Sequence, residues 1–261
     1  MGTAQVNGVT VHYDDTGGDG PAVLFSHGFL MDRSMFDRQV EALGGDYRCV
    51  RWDERGFGGT AATGEFSYWD SADDAVALLD HLEIDEAVFV GMSQGGFLSL
   101  RAALAHPDRV RAVVLIDSAA DTDDEETLDG YRGMLHVFGN GTDEERAGVF
   151  QIVAGLILGD EQLAEEWIPK WQAIDPSQLT LAGGALLNRD DISDRAGEIR
   201  CPVMSIHGTD DQAIALQRAL ALAATLPDHR GVIEVEGAAH APNMTHPDTV
   251  NPALRTFLDS L

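Results

Sequence analysis

The segment Gly91-Met92-Ser93-Gln94-Gly95 places one serine between two glycines, each two residues away. It ends the apolar run "AVFV" and opens the helical pattern "GGFLSLRAALA". Strand, tight turn and helix form the context in which a G-x-S-x-G serine acts as a nucleophile. A turn that tight leaves no room for side chains at 91 and 95, and it lifts the serine to the C-terminal edge of a sheet. There the first amides of the helix favour developing negative charge. Gly-rich strand-to-helix turns also arise for packing alone, so the motif needs partners before it means chemistry.

A serine hydroxyl is a weak nucleophile; it needs a base, and the base needs a group to orient it. Of the nine histidines, His240 is the best placed, in "EGAAHAPN" between the last strand-like run and a closing helix. His207 ends a strand before Gly208 and reads as structural, and His27 reads as a holder of its loop. His12, His81, His106, His136 and His229 lie in surface-like or helical contexts and read as solvated, while His246 before Pro247 caps or packs a helix start. For the acid, Asp211 at the far end of the loop in "SIHGTDDQAI" comes first. Asp117, closing "VVLID", is the alternative acid and Asp210 a further competitor. Acyl transfer also needs amide donors for an oxyanion. The amides of Phe29, in "FSHGFLMD", and Gln94 would form that pair.

The elements that must position these residues can be read from pattern. "VNGVTVHYDD" (6–15) carries an Asn-Gly turn followed by alternation, the mark of a hairpin. Short apolar runs follow at 22–26, 47–52, 87–91, 112–117, 203–207 and 231–235, continuous enough for strands covered on both faces. Helical patterns at 34–43, 68–82, 96–105, 212–226 and 247–261 alternate with them, which makes the chain α/β. The alternation lapses between Asp117 and Cys201. Residues 121–198 therefore read as a helical cap, and 1–120 with 199–261 as the core domain. The cap's acidic start, "DTDDEETLD" (121–129), is a solvated helix start rather than a metal loop, since its spacing fits no ligand set.

Composition narrows the partners. Forty-four Asp and Glu stand against 17 Lys and Arg, a net charge of −27; such a surface repels phosphate backbones and anionic membranes. Nucleic-acid binding is not expected. Apolar residues make up 44% of the 261, enough for a large core without disulfide or metal. Cys49 and Cys201, far apart in strand-like runs, read as buried thiols. With no basic-then-apolar leader and no apolar run of membrane length, the expectation is a cytoplasmic protein. The Asn140 and Asn243 sequons are then chance matches.

Five features occur in a fixed order: "HGF" at 27–29, "DERGFGGT" at 53–60, "GMSQGG" at 91–96, "HGTDD" at 207–211 and "GAAHAPNMTHPDTV" at 237–250. In this the chain resembles the α/β-hydrolase fold superfamily over nearly its whole length. The resemblance implies a mostly parallel central sheet flanked by helices, with a helical cap inserted after the sixth strand. It implies Ser93 as nucleophile, His240 as base and Asp211 as acid, with Asp53 and Arg55 stabilising their loop. Serine at the elbow sets the chain apart from similar enzymes that open epoxides or displace halide with an aspartate.

The chemistry so implied is cofactor-free and metal-free hydrolysis of a small ester or lactone through an acyl-enzyme. Thioester or carbon–carbon bond hydrolysis, perhydrolysis, acyl transfer to an alcohol, and non-catalytic ligand binding by the same fold remain alternatives. The elbow and "HGF" look closest to small esterases, enol-lactonases and perhydrolases, although the last often have Trp where Phe29 stands. Substrate choice is expected from the cap. Trp167 and Trp171 share one helix face there, as do Phe150, Val153 and Ile157, either as packing or as an apolar pocket. Lys170 and Arg189 are candidate partners for a substrate carboxylate. A homo-oligomer is possible.

Overall fold

The computed structural model describes residues 1–261. Asn7 and Gly8 both take positive φ, 44° and 82°, as a two-residue hairpin turn requires. They join β1 (Gly2–Val6) to β2 (Val9–Asp15) in antiparallel register. The remaining strands are β3 (Ala22–Ser26), β4 (Arg48–Trp52), β5 (Ala87–Met92), β6 (Val110–Ile116), β7 (Val203–Gly208) and β8 (His229–Val235). They complete one eight-stranded sheet in the order β1-β2-β4-β3-β5-β6-β7-β8, parallel from β4 to β8. β5 and β7 are buried along their whole length, which suits their mostly apolar sequences, with Ser205 and His207 the polar side chains of β7.

Helices α1 (Asp37–Leu43), α2 (Tyr68–His81) and α3 (Gln94–Ala105) connect the strands up to β6. Ser67 and Asp70 form a reciprocal capping box at the start of α2. Between β6 and β7 lie α4 (Glu125–Asn140), α5 (Asp143–Ile157), α6 (Glu161–Gln172) and α7 (Pro176–Leu187), with no strand among them. The acidic run serves as anticipated: Asp124 caps α4 and the glutamates fill its first turn. These four helices have no separate core. Phe138, Phe150, Trp167 and Trp171 belong to the same contiguous cluster of 70 buried apolar residues as Val88 and Leu98 under the sheet.

After β7 come α8 (Leu216–Thr225), the short α9 (Pro242–Thr245) and α10 (Pro247–Leu258). α8 begins four residues later than the periodicity suggests, because 212–215 is taken up by the turn that Asp211 caps. Cys49 is buried, Cys201 partly so, and both are free thiols. No helix is long and apolar enough to cross a membrane.

Candidate active site

β5 delivers Ser93 to the C-terminal edge of the sheet in a sharply bent backbone, φ 51° and ψ −113°. A non-glycine residue held there costs about 1–3 kcal/mol and persists only when its surroundings over-determine it. They do. The Ser93 N–H donates to the Ile116 carbonyl (2.8 Å), and its own carbonyl accepts from Gly96 N–H (2.9 Å), Phe97 N–H (3.1 Å) and Ser118 Oγ (2.8 Å). The flanking glycines are required for a slightly different reason than mutual collision. A Cβ at Gly91 would run into the Gly95 carbonyl, and one at Gly95 into the Ser26 carbonyl on β3.

His240 lies on the loop after β8, and its Nδ1–H donates to Asp211 Oδ2 at 2.7 Å. That bond leaves Nε2 as the acceptor on the other side of the ring. Asp211 ends the loop after β7, and its Oδ1 accepts the N–H groups of Ala213 (2.8 Å) and Ile214 (3.1 Å). Burial opposes ionisation of this carboxyl; His240 and the converging donors outweigh it and hold Asp211 below the usual aspartate range. Asp210 is exposed and makes no contact with His240, so it is not the partner.

Asp117 does not bond His240 either. It is fully buried at the end of β6, with Oδ1 accepting the Gly208 N–H at 2.9 Å. Burial and then the neighbouring Asp211 push its carboxyl well above the usual range. His207 is structural as read: its buried Nε2–H donates to the Ile214 carbonyl (2.8 Å), and burial lowers its basicity. His229 differs from expectation. It sits half-buried on β8 against Ser205 Oγ at 3.1 Å instead of in solvent.

Ser93 and His240 open together on a cavity of about 90 Å³, the room of roughly three waters. Its wall is almost wholly apolar, with Phe29, Phe97, Ile157, Leu186 and Ile214 among the lining residues. Of the apolar cap residues expected there, Val153 and Ile157 are in this wall. Phe150, Trp167 and Trp171 pack inward, with Phe150 stacked on Phe138 (4.7 Å between centroids) and tilted against Trp171 (6.0 Å). Lys170 is elsewhere, 3.9 Å above the Trp167 ring and bonded to Glu166 and Ser34. A larger cleft of about 280 Å³ takes in Lys170 and Phe57 but neither Ser93 nor His240. Arg189 does reach the cavity that Ser93 and His240 line, where it is tied to Asp123 (2.6 Å), which also binds Arg218 (2.5 Å).

The two amides singled out for an oxyanion are held differently. The Gly28 carbonyl accepts His27 Nδ1–H (2.8 Å) and Met31 N–H (3.0 Å), which fixes the 28–29 peptide plane. The Phe29 N–H points the opposite way in that plane and has no acceptor in the chain. The Gln94 N–H opens α3, where helical amides lack intrahelical acceptors. Gln94 is steadied from its side chain: Nε2–H donates to Glu54 Oε2 (2.8 Å), and Oε1 accepts from Tyr68 OH (3.3 Å). Glu54 went unnoticed in the sequence because it sits beside Asp53 and Arg55 in a charged loop motif. Asp53 binds Arg33 and the Gly59 N–H, and Arg55 binds Asp74, so both stabilise that loop.

A nucleophile elbow between β5 and α3, with a buried His–Asp pair at the same sheet edge, defines an α/β hydrolase. The chain belongs to the α/β-hydrolase fold family, whose model matches residues 21–247. It is 28% identical to a non-heme chloroperoxidase of Streptomyces lividans, with 100% of both chains covered. It is 24% identical to 3-oxoadipate enol-lactonase 2 of Acinetobacter baylyi, covering 98% of this chain and 96% of that one. Among solved structures, the enol-lactonase from Burkholderia xenovorans LB400 superimposes with a TM-score of 0.90 at 25% identity, over 99% of this chain and 100% of the other. A thermophilic esterase from Thermogutta terrifontis gives 0.89, also at 25% identity, over 99% and 97%.

Proposed function

We propose that the protein is a serine hydrolase of small carboxylic esters or lactones, working through an acyl-enzyme. The reading is carried by one observation: His240, oriented by a 2.7 Å bond to Asp211, lines the same small apolar cavity as the strained Ser93. Ser93 Oγ attacks the carbonyl while His240 Nε2 takes its proton, and Asp211 stabilises the imidazolium that forms. The negative oxygen of the tetrahedral intermediate is received by the free N–H groups of Phe29 and Gln94, each such donor being worth about 3 kcal/mol in comparable sites. His240 returns the proton to the leaving alcohol, and water repeats the sequence to release the acid. The same carbonyl chemistry, with the ring closed, opens a lactone. An apolar cavity of this size suits a short acyl chain or a small ring.

Ser93→Ala tests it on p-nitrophenyl acetate and butyrate. Turnover should fall about 10⁴-fold or more with the fold intact, and a fluorophosphonate probe should label the parent at Ser93 and leave the variant unlabelled. Near-parental turnover by the variant would overturn the mechanism.

A further inference from the structure

Asp117 is a buried carboxyl that the mechanism leaves idle. Its backbone takes φ 46°, in the left-handed region that aspartate tolerates better than most side chains. Oδ1 is satisfied by the Gly208 N–H, while Oδ2 is buried and receives no N–H or O–H from the chain. Carboxyl oxygens of Asp117 and Asp211 and a ring nitrogen of His240 lie within 4.8 Å of one another.

Two carboxylates this close and this buried do not both ionise. The hydrogen bonds decide which keeps the proton. Asp211 accepts three N–H groups, from Ala213, Ile214 and His240; Asp117 accepts one. His207, 3.7 Å from Asp117 and 3.4 Å from Asp211, has its single Nε2–H committed to Ile214 and offers neither a proton. Arg218 on α8 acts on His207 from beyond, and no cation touches Asp117.

We propose that Asp117 is a positioning residue: a neutral carboxyl that donates its hydrogen from Oδ2 to Asp211, tying the ends of β6 and β7 together behind His240. The inference rests on the serine-hydrolase reading, in which Asp211 is the acid. The donated bond disperses part of the Asp211 charge, so His240 meets a weaker anion and releases its proton more readily. It also gives Asp211 a further anchor beside Ala213 and Ile214.

The pH dependence of kcat/KM on p-nitrophenyl acetate tests this with Asp117→Asn and Asp117→Leu, and with Ser93→Ala as control. An asparagine can keep both bonds, its carbonyl accepting from Gly208 and its NH₂ donating to Asp211. Asp117→Asn should hold kcat within about threefold and leave the acidic limb in place. Asp117→Leu, where it folds, should lose about tenfold in kcat at unchanged KM and move the limb upward by about half a unit or more. A limb that moves down by that much in Asp117→Asn would mean an ionised Asp117 and would overturn the inference, as would a Leu variant that behaves like the parent.

Stability supplies a second readout. A carboxyl raised in the fold contributes stability at pH below its ordinary value, and that contribution is lost as pH rises. The Tm of Asp117→Asn relative to the parent should therefore climb between pH 4 and 8, and a constant gap contradicts a proton held by Asp117. An active Ser93→Ala, by contrast, sinks the hydrolase reading itself.

Discussion

Replacing Asp211 by asparagine should do more damage than the loss of one charge suggests. Oδ1 of Asp211 accepts two backbone N–H groups, from Ala213 and Ile214. An asparagine must keep its carbonyl oxygen there, so its NH₂ takes the place of Oδ2 facing His240. A donor then meets a donor at 2.7 Å unless the imidazole moves its proton to Nε2. In that tautomer Nε2 no longer accepts the Ser93 proton. Losing the charge-assisted bond alone would cost about 1.5–3 kcal/mol, or ten- to a hundredfold. With the wrong tautomer added, kcat should fall by about 10³–10⁴ with little change in KM. The assay is initial rates on p-nitrophenyl butyrate between pH 7 and 9, with circular dichroism to show that the fold survives. Turnover within about tenfold of the parent, or an equal loss in Asp210→Asn, would refute the assignment of the acid.

Leu186→Phe should fill part of the 90 Å³ cavity and penalise longer acyl chains. The ratio of kcat/KM for butyrate over acetate should drop about tenfold, since a methylene in such a pocket is worth about 1–3 kcal/mol; an unchanged ratio would place the acyl chain elsewhere. Glu54→Gln should keep the bond to Gln94, because an amide oxygen accepts as Oε2 does. Burial raises the Glu54 carboxyl well above its usual range, so the parent loses stability as pH rises past that range while glutamine does not titrate. The Tm of the variant relative to the parent should widen in its favour from pH 4.5 to 8, and a flat difference would show that Glu54 is ionised in the fold.

The parts of the structure legible in sequence were those fixed by local physics. β3 to β8 begin and end within two residues of the mostly apolar runs that mark them, and the Asn-Gly turn marks the hairpin, although β1 lies almost wholly before the stretch 6–15. The elbow was legible because its backbone admits only glycine at 91 and 95. The choice of Asp211 over Asp210 was legible less securely: neighbours on a loop differ only in which faces inward, and the Ala213 and Ile214 amides decide that in three dimensions. The cavity wall was the least legible. Trp167 and Trp171 share a helix face as the periodicity implies, but periodicity does not say what the face meets, and it meets Phe150. Phe97, a turn beyond Ser93 on α3, could have been found by that spacing; Glu54 could not, because its partner Gln94 is 40 residues away.

The Asp123 link to Arg189 has a consequence for how this molecule could change over time. It joins positions 66 residues apart, one just before α4 and the other just after α7, and Arg218 fastens both Asp121 and Asp123 to α8. The four helices thus leave the sheet and return to it through a single ionic knot. A segment whose two ends are pinned side by side can be lengthened, shortened or exchanged without disturbing the register of any strand. Ser93, Asp211 and His240 all hang from strand ends outside that segment, whereas Ile157 and Leu186 belong to it. The part of the cavity wall that Val153, Ile157 and Leu186 supply can therefore vary with that segment, while the part from Phe29, Phe97 and Ile214 stays with the sheet.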